Sequence, residues 1–239
     1  MGASMWDAQR ESLAAGWRVL TPSLPGFDGQ PLIDDRTMRG YTRHLLAVLD
    51  RAQVTRAVFG GVSLGGYVLF ELLRQAPERV AGLLLADTRT SIDSPERLAA
   101  RERSIARART EGSTAIADEM LPGILGPTTH ARRPEVAARV RRLIELQQPE
   151  TIAAGLQAIM SRPDSSAVLP SITVPTTIVV GDEDVITPPS DAAFMHSRIS
   201  GSTLVLIPAA GHMTNLEEPD AFNVAMNGLL ERCAEGLAL

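Results

Sequence analysis

Residues 59–67 read Phe59-Gly60-Gly61-Val62-Ser63-Leu64-Gly65-Gly66-Tyr67, and their surroundings decide how the rest of the chain is read. They follow a β-branched run, Thr55 to Val62, and precede Val68, Leu69, Leu72 and Leu73, which share one helix face. Gly-x-Ser-x-Gly at a strand–turn–helix junction puts a serine on a sharp turn, with its hydroxyl lifted above the strand ends. The backbone of such a turn is strained, and side chains two residues to either side are expected to collide. Glycine is therefore predicted to be required at both Gly61 and Gly65. The N–H of Leu64 is predicted to face the oxygen that becomes negative in a tetrahedral intermediate.

Glycine clusters after strands also cradle phosphates. A P-loop needs Lys before its Ser or Thr, and none stands here. A dinucleotide site needs another glycine spacing and an acidic residue about 20 positions on. No cofactor and no metal is expected.

A serine at its free pKa is a weak nucleophile, so Ser63 requires a base and an acid that orients it. His212 is the candidate base. It follows a strand-like run in the small-residue loop Pro208-Ala209-Ala210-Gly211-His212. His44, His130 and His196 fall on predicted helices or in the helical middle region, where structural or surface roles suit them. For the acid, Gly181-Asp182-Glu183-Asp184 follows another apolar strand. Asp184 at the loop tip is favoured, Asp182 is a candidate for bonding loop backbone, and Glu183 is expected to face solvent. Asp87, ending the strand before the helical region, is an alternative acid. The chain order Ser63, Asp184, His212 matches that of Gly-x-Ser-x-Gly hydrolases and differs from both common serine-protease orders.

Outward from the elbow, three regions separate. Residues 1–88 alternate helices (Trp6 to Ala15, Asp35 to Ala52, Gly66 to Gln75) with strands (Trp17 to Pro22, Thr55 to Val62, Val80 to Ala86). Residues 89–169 contain no convincing strand and read as amphipathic helices broken near Gly112, Pro122 to Pro127, Pro134 and Pro149. Residues 170–239 resume the rhythm with strands at Thr176 to Val180 and Thr203 to Ile207, and helices at Pro189 to Arg198 and Asp220 to Cys233. The expected class is α/β, a mostly parallel sheet with helices on both faces. The core is 1–88 plus 170–239, and 89–169 is a helical cap inserted over a site.

Composition narrows the partners. The 239 residues are 44% hydrophobic and 21% charged, the balance of a soluble globular chain. No run approaches the roughly 20 apolar residues that span a bilayer, so no membrane partner is expected. A net charge of −5 argues against nucleic acid, and the arginines between Arg97 and Arg109 are interleaved with glutamates, as on a solvated helix face. The N-terminus lacks the basic and apolar regions of a signal peptide. Cys233 is the only cysteine and reads as an apolar filler, and a reducing, cytoplasmic location is expected.

These motifs together resemble the α/β-hydrolase superfamily, close to small esterases, enol-lactonases and cofactor-free haloperoxidases, over nearly the whole chain. Leu24-Pro25-Gly26-Phe27 resembles the family's Asp-Leu-Pro-Gly-x-Gly turn, with Ser23 where Asp is usual. Gly181 through Pro188 resembles its Gly-x-x-Asp-x-x-x-Pro acid motif, which supports Asp184. Gly211-His212 before Glu217-Glu218-Pro219 resembles its histidine motif. Serine at position 63 separates the chain from the related dehalogenases and epoxide hydrolases, which carry Asp there.

One departure concerns the start. In the family a central strand ends in His-Gly, and the residue after it gives the second oxyanion N–H. Met1 to Asp7 resembles the segment just after that motif, and no His-Gly occurs in the first sixty residues. The expectation is a shortened N-terminus lacking that strand, between Trp17 to Pro22 and Thr55 to Val62. Unpaired backbone in an exposed sheet interior would favour association into a homo-oligomer.

The resemblance implies a serine hydrolase that cleaves a small carboxylic ester or lactone through an acyl-enzyme. Peptidases, thioesterases, C–C hydrolases and perhydrolases use the same machinery. A reading from another class is a catalytically impaired relative that keeps the pocket for ligand sensing, favoured by the half-visible oxyanion site.

Overall fold

The run Val-Ala-Gly-Leu-Leu-Leu-Ala at Val80–Ala86 has no polar side chain, so it is stable as a strand only if covered on both faces. A computed structural model, describing residues 2–13 and 16–235, places it in the interior of a sheet. In chain order the elements are α1 (Asp7–Ser12), α2 (Met38–Arg51), β1 (Ala57–Val62), α3 (Leu64–Gln75) and β2 (Val80–Ala86). A helical block follows: α4 (Pro95–Glu111), α5 (Ser113–Ile124), α6 (Pro127–Arg132), α7 (Pro134–Glu145) and α8 (Pro149–Met160). The chain ends with β3 (Thr176–Gly181), α9 (Pro189–His196), β4 (Thr203–Ile207), α10 (Thr214–Glu217) and α11 (Pro219–Glu235).

The four strands pair in parallel in the order β1-β2-β3-β4, with Leu85 opposite Gly61 on one side and Ile178 on the other. Alternate residues of β2 feed two cores. Leu84 and Ala86 pack with Val179, Phe222 and Leu229 on one face. Leu83 and Leu85 pack with Tyr41, Phe70, Leu72 and Ile178 on the other. Phe70 and Leu72 are fully buried, and removing each such side chain from water contributes about 1.5–3 kcal/mol. The α/β class, with a parallel sheet between helical layers, is as expected.

Local signals set the helix starts. Thr37 caps α2, its hydroxyl accepting from Gly40 N–H at 3.2 Å. Ser94 caps α4 ahead of Pro95, a residue suited to the first helical position. Breaks fall at Gly112 and, within the expected Pro122 to Pro127 stretch, at Leu125-Gly126, with Pro122 itself inside α5.

One predicted element is absent. Trp17 to Pro22 is not a strand, and its backbone makes no hydrogen bond among the described residues. No described segment lies beside it to complete a ladder, and a strand without a partner has nothing to fix it. β1 is accordingly an edge strand. The helix predicted from Trp6 begins as a 3-10 turn at Ala3–Trp6 and continues as α1 to Ser12; the predicted end at Ala14 and Ala15 lies outside the described residues.

No described helix is long and apolar enough to cross a membrane.

Candidate active site

Ser63 sits between β1 and α3 with φ 52° and ψ −110°, a conformation that only surrounding structure can impose on a non-glycine residue. The imposition is visible in three bonds. Ser63 N–H donates to Ala86 O at 2.9 Å, Gly66 N–H to Ser63 O at 2.9 Å, and the Thr88 hydroxyl to Ser63 O at 3.0 Å. Leu64 begins α3, so its N–H has no acceptor within the helix, and it donates to no other described group.

The glycine requirement is only half as expected. A Cβ at Gly61 would lie 2.5 Å from the Gly65 carbonyl carbon, whereas one at Gly65 would meet nothing within 4 Å. The crowded second position is Gly66, where a Cβ would stand 2.4 Å from the Thr88 hydroxyl. The elbow turns against β2's exit loop, a contact that the five-residue motif does not contain.

The loops after β3 and β4 bring Asp184 and His212 to Ser63. His212 Nε2 lies 2.8 Å from Ser63 Oγ, and His212 Nδ1 lies 2.8 Å from Asp184 Oδ2. Thr187, unremarked in the sequence, orders the pair. Its hydroxyl donates to Asp184 Oδ2 at 2.7 Å and stands 3.1 Å from His212 Nδ1. With its proton committed to the carboxylate, that oxygen can only accept from Nδ1–H, which leaves Nε2 as the acceptor for the serine proton. Asp184 Oδ1 accepts from the N–H groups of Ile186 at 2.8 Å and Thr187 at 3.0 Å. Burial works to raise the Asp184 pKa, but its bond to His212, the imidazole's charge and the Thr187 bonds outweigh it and hold the carboxyl below its ordinary value.

The other carboxylates fall elsewhere. Asp182 accepts from Ala209 N–H at 2.8 Å, tying the acid loop to the histidine loop. Glu183 does not face solvent as expected. It binds Thr128 at the start of α6, through the backbone N–H at 2.9 Å and through the hydroxyl, because α6 lies over this loop. Asp87 makes no hydrogen bond to His212. It is wholly buried at φ 46°, with Oδ2 accepting from Thr214 N–H at 3.1 Å and Oγ1–H at 2.6 Å and Oδ1 unpartnered. Burial is the main cause pushing its pKa up to about 7.

The histidine loop is also tied to the helical block. His212 N–H donates to Ile124 O at 3.1 Å, at the end of α5. Buried Glu217 accepts from Gly126 N–H at 2.8 Å, Thr129 Oγ1–H at 2.7 Å and Met213 N–H at 3.0 Å. In the sequence Glu217 stands out only as part of the histidine motif. Its position five residues after His212, ahead of a proline, was the available signal.

A cavity of about 660 Å³ is lined by Ser63, Leu64 and His212, by Met120 and Leu156 of the helical block, and by the 17–22 segment facing β1. The Leu24 to Phe27 turn forms part of its wall and is held to α8 by Thr151 Oγ1–H donating to Gly26 O at 2.8 Å. No cluster of three metal-ligating side chains occurs among the described residues.

A serine on a strained strand–helix turn, joined through a histidine to an aspartate on a parallel sheet, is the arrangement to compare with known proteins. The description "Alpha/beta hydrolase family" matches residues 1–225. The chain belongs to the alpha/beta hydrolase family. Among solved structures of its relatives, a thermophilic esterase from Thermogutta terrifontis, determined with malate bound, is 37% identical with a TM-score of 0.93, over 98% of this chain and 86% of that one. An enol-lactonase from Burkholderia xenovorans is 29% identical with a TM-score of 0.88, over 96% and 87%. A curated relative, 3-oxoadipate enol-lactonase 2 of Acinetobacter baylyi, is 28% identical over 188 residues, 79% of this chain and 68% of that protein.

Proposed function

We propose that this alpha/beta hydrolase cleaves a small carboxylic ester or lactone through an acyl-enzyme on Ser63. The observation that carries this reading is the unbroken chain of 2.8 Å contacts from Asp184 through His212 to Ser63. Esterases and enol-lactonases among its relatives support it.

Ser63 Oγ attacks the carbonyl carbon while its proton passes to His212 Nε2, and the oxyanion is held by Leu64 N–H. The imidazolium is stabilised by Asp184 and returns the proton to the departing alkoxide. Water then attacks the acyl-enzyme with His212 as base, releasing the acid and restoring Ser63. Residues 89–169 act as the cap, with Met120 and Leu156 closing the cavity over the serine. The substrate partner is a small molecule.

A second reading, ligand sensing without efficient turnover, is favoured by the single oxyanion donor assigned, since removing one such donor costs about 10²–10³ in rate. A fluorophosphonate probe combined with p-nitrophenyl esters of graded length distinguishes the two. Labelling at Ser63, turnover, and loss of both in Ser63→Ala are expected; tight ligand binding without labelling or turnover would favour the sensor.

A further inference from the structure

Asp93 lies in the loop between β2 and α4, its side chain wholly buried and surrounded by three arginines. Arg162 spans both of its oxygens: Nη1 reaches Oδ2 and Nη2 reaches Oδ1, each at 3.2 Å. Arg162 is further fixed by the carbonyls of Ile159 and Ser91 and stacks 4.3 Å from the centroid of the Tyr67 ring. That pair alone already cancels the carboxylate's charge.

Arg89 and Arg101 are additional. Arg89 Nη2 and Arg101 Nε also touch Asp93, the latter at 2.7 Å. Burial alone would raise the Asp93 pKa, and the bonds and charges of Arg162 and Arg101 hold it far below the ordinary carboxylate range. One carboxylate therefore faces three guanidinium groups. Nearby Arg97 and Asp191 leave the balance positive, with Asp191 sensing the charges of both Arg89 and Arg97. Arg89 is 8% exposed, and its Nε has no hydrogen-bond partner among the described residues.

Arg89 is buried and the Arg101 side chain is 21% exposed, and an excess of cationic charge so withdrawn from water is costly unless an anion meets it. The two surplus arginines line the same cavity as Ser63 and His212. The framework of the cluster is joined to the elbow at two points. Arg89 follows Thr88, which bonds the Ser63 carbonyl, and Tyr67, which carries the Arg162 stack, lies one helical turn beyond Ser63.

We infer that Arg89 and Arg101 form a carboxylate-binding subsite, so that the preferred substrate is an ester or lactone bearing a second, free carboxylate. The assignment rests on the proposed ester chemistry at Ser63 and adds its substrate class. A planar guanidinium fork in a low-dielectric wall suits a carboxylate, and Asp93 with Arg162 keeps both forks in place.

The test compares mono-p-nitrophenyl glutarate, which is anionic, with neutral p-nitrophenyl valerate. The kcat/KM ratio, anionic over neutral, is expected to be at least tenfold in the native enzyme and to fall as salt rises. It should drop at least tenfold in Arg101→Gln and in Arg89→Gln, and recover in part in Arg101→Lys. A native ratio near one, or a ratio unmoved by these substitutions, overturns the subsite. Calorimetry of glutarate on Ser63→Ala separates the two claims. Turnover of neither ester overturns the serine chemistry, whereas glutarate binding that Arg101→Gln abolishes still supports the subsite, and absence of binding overturns it.

Discussion

Asp184 Oδ2 and His212 Nδ1 stand 2.8 Å apart across 28 residues of chain, each at the end of a different parallel strand. The paired strands β3 and β4 place both loops at one edge of the sheet, with Gly181 opposite Ile207 as the last rung of the ladder. Asp184→Asn keeps the shape but removes the charge and favours the other imidazole tautomer, so kcat should fall by about 10⁴. Asp182→Asn should cost under about tenfold, since among the described residues the Asp182 side chain bonds only Ala209 N–H. Steady-state kinetics on a p-nitrophenyl ester decide the assignment, and equal losses in the two variants would sink it.

Thr187 should behave as a positioning residue. Thr187→Val deletes the hydroxyl that meets both Asp184 and His212, a hydrogen bond to an ionised carboxylate of a class worth about 1.5–3 kcal/mol, only part of which differs between ground and transition states. The expected result is a loss of about three- to tenfold in kcat with KM little changed. Thr187→Ser should restore most of it; a loss confined to KM would contradict the role.

Asp87 gives the protein a stability that depends on pH. Its folded pKa of about 7 lies above the ordinary 3.8, so the neutral carboxyl stabilises the fold fully below the unfolded pKa. That contribution is lost as pH rises through about 7. Asp87→Asn stays neutral throughout. Relative to the variant, the native protein's melting temperature should fall as pH rises across this window, and parallel curves would refute the coupling.

The two elbow glycines should part company. Gly61→Ala forces a methyl to within 2.5 Å of the Gly65 backbone and should destabilise by about 1–3 kcal/mol. Gly65→Ala adds a methyl in open space near the start of α3 and should be neutral or stabilising by up to about 1 kcal/mol. Denaturant midpoints read both.

Local chemistry explains what could be read from the residues alone. Ser63, Asp184 and His212 each terminate an apolar strand in a small-residue or acidic loop, and parallel strands deliver such ends to one edge. Strand boundaries followed for the same reason, with Val80–Ala86 and Thr203–Ile207 observed where expected. Trp17 to Pro22 failed because a strand exists only with a neighbour, which composition does not reveal. The requirement at Gly66 depends on Thr88, 22 positions away, and the surplus of arginines on Asp93 depends on α4 and α8 meeting in space. Glu183 was misjudged because α6 covers it, a tertiary fact without a local signal.

The bond from His212 N–H to Ile124 O, with Glu217 clasping Gly126, Thr129 and Met213, ties the end of α5 and the start of α6 to the His212 loop. Lifting the end of α5 away from the sheet slackens the loop that aims the imidazole. The aim of the ring at Ser63 is thus set as much by residues 124–129 as by the sheet that carries the loop.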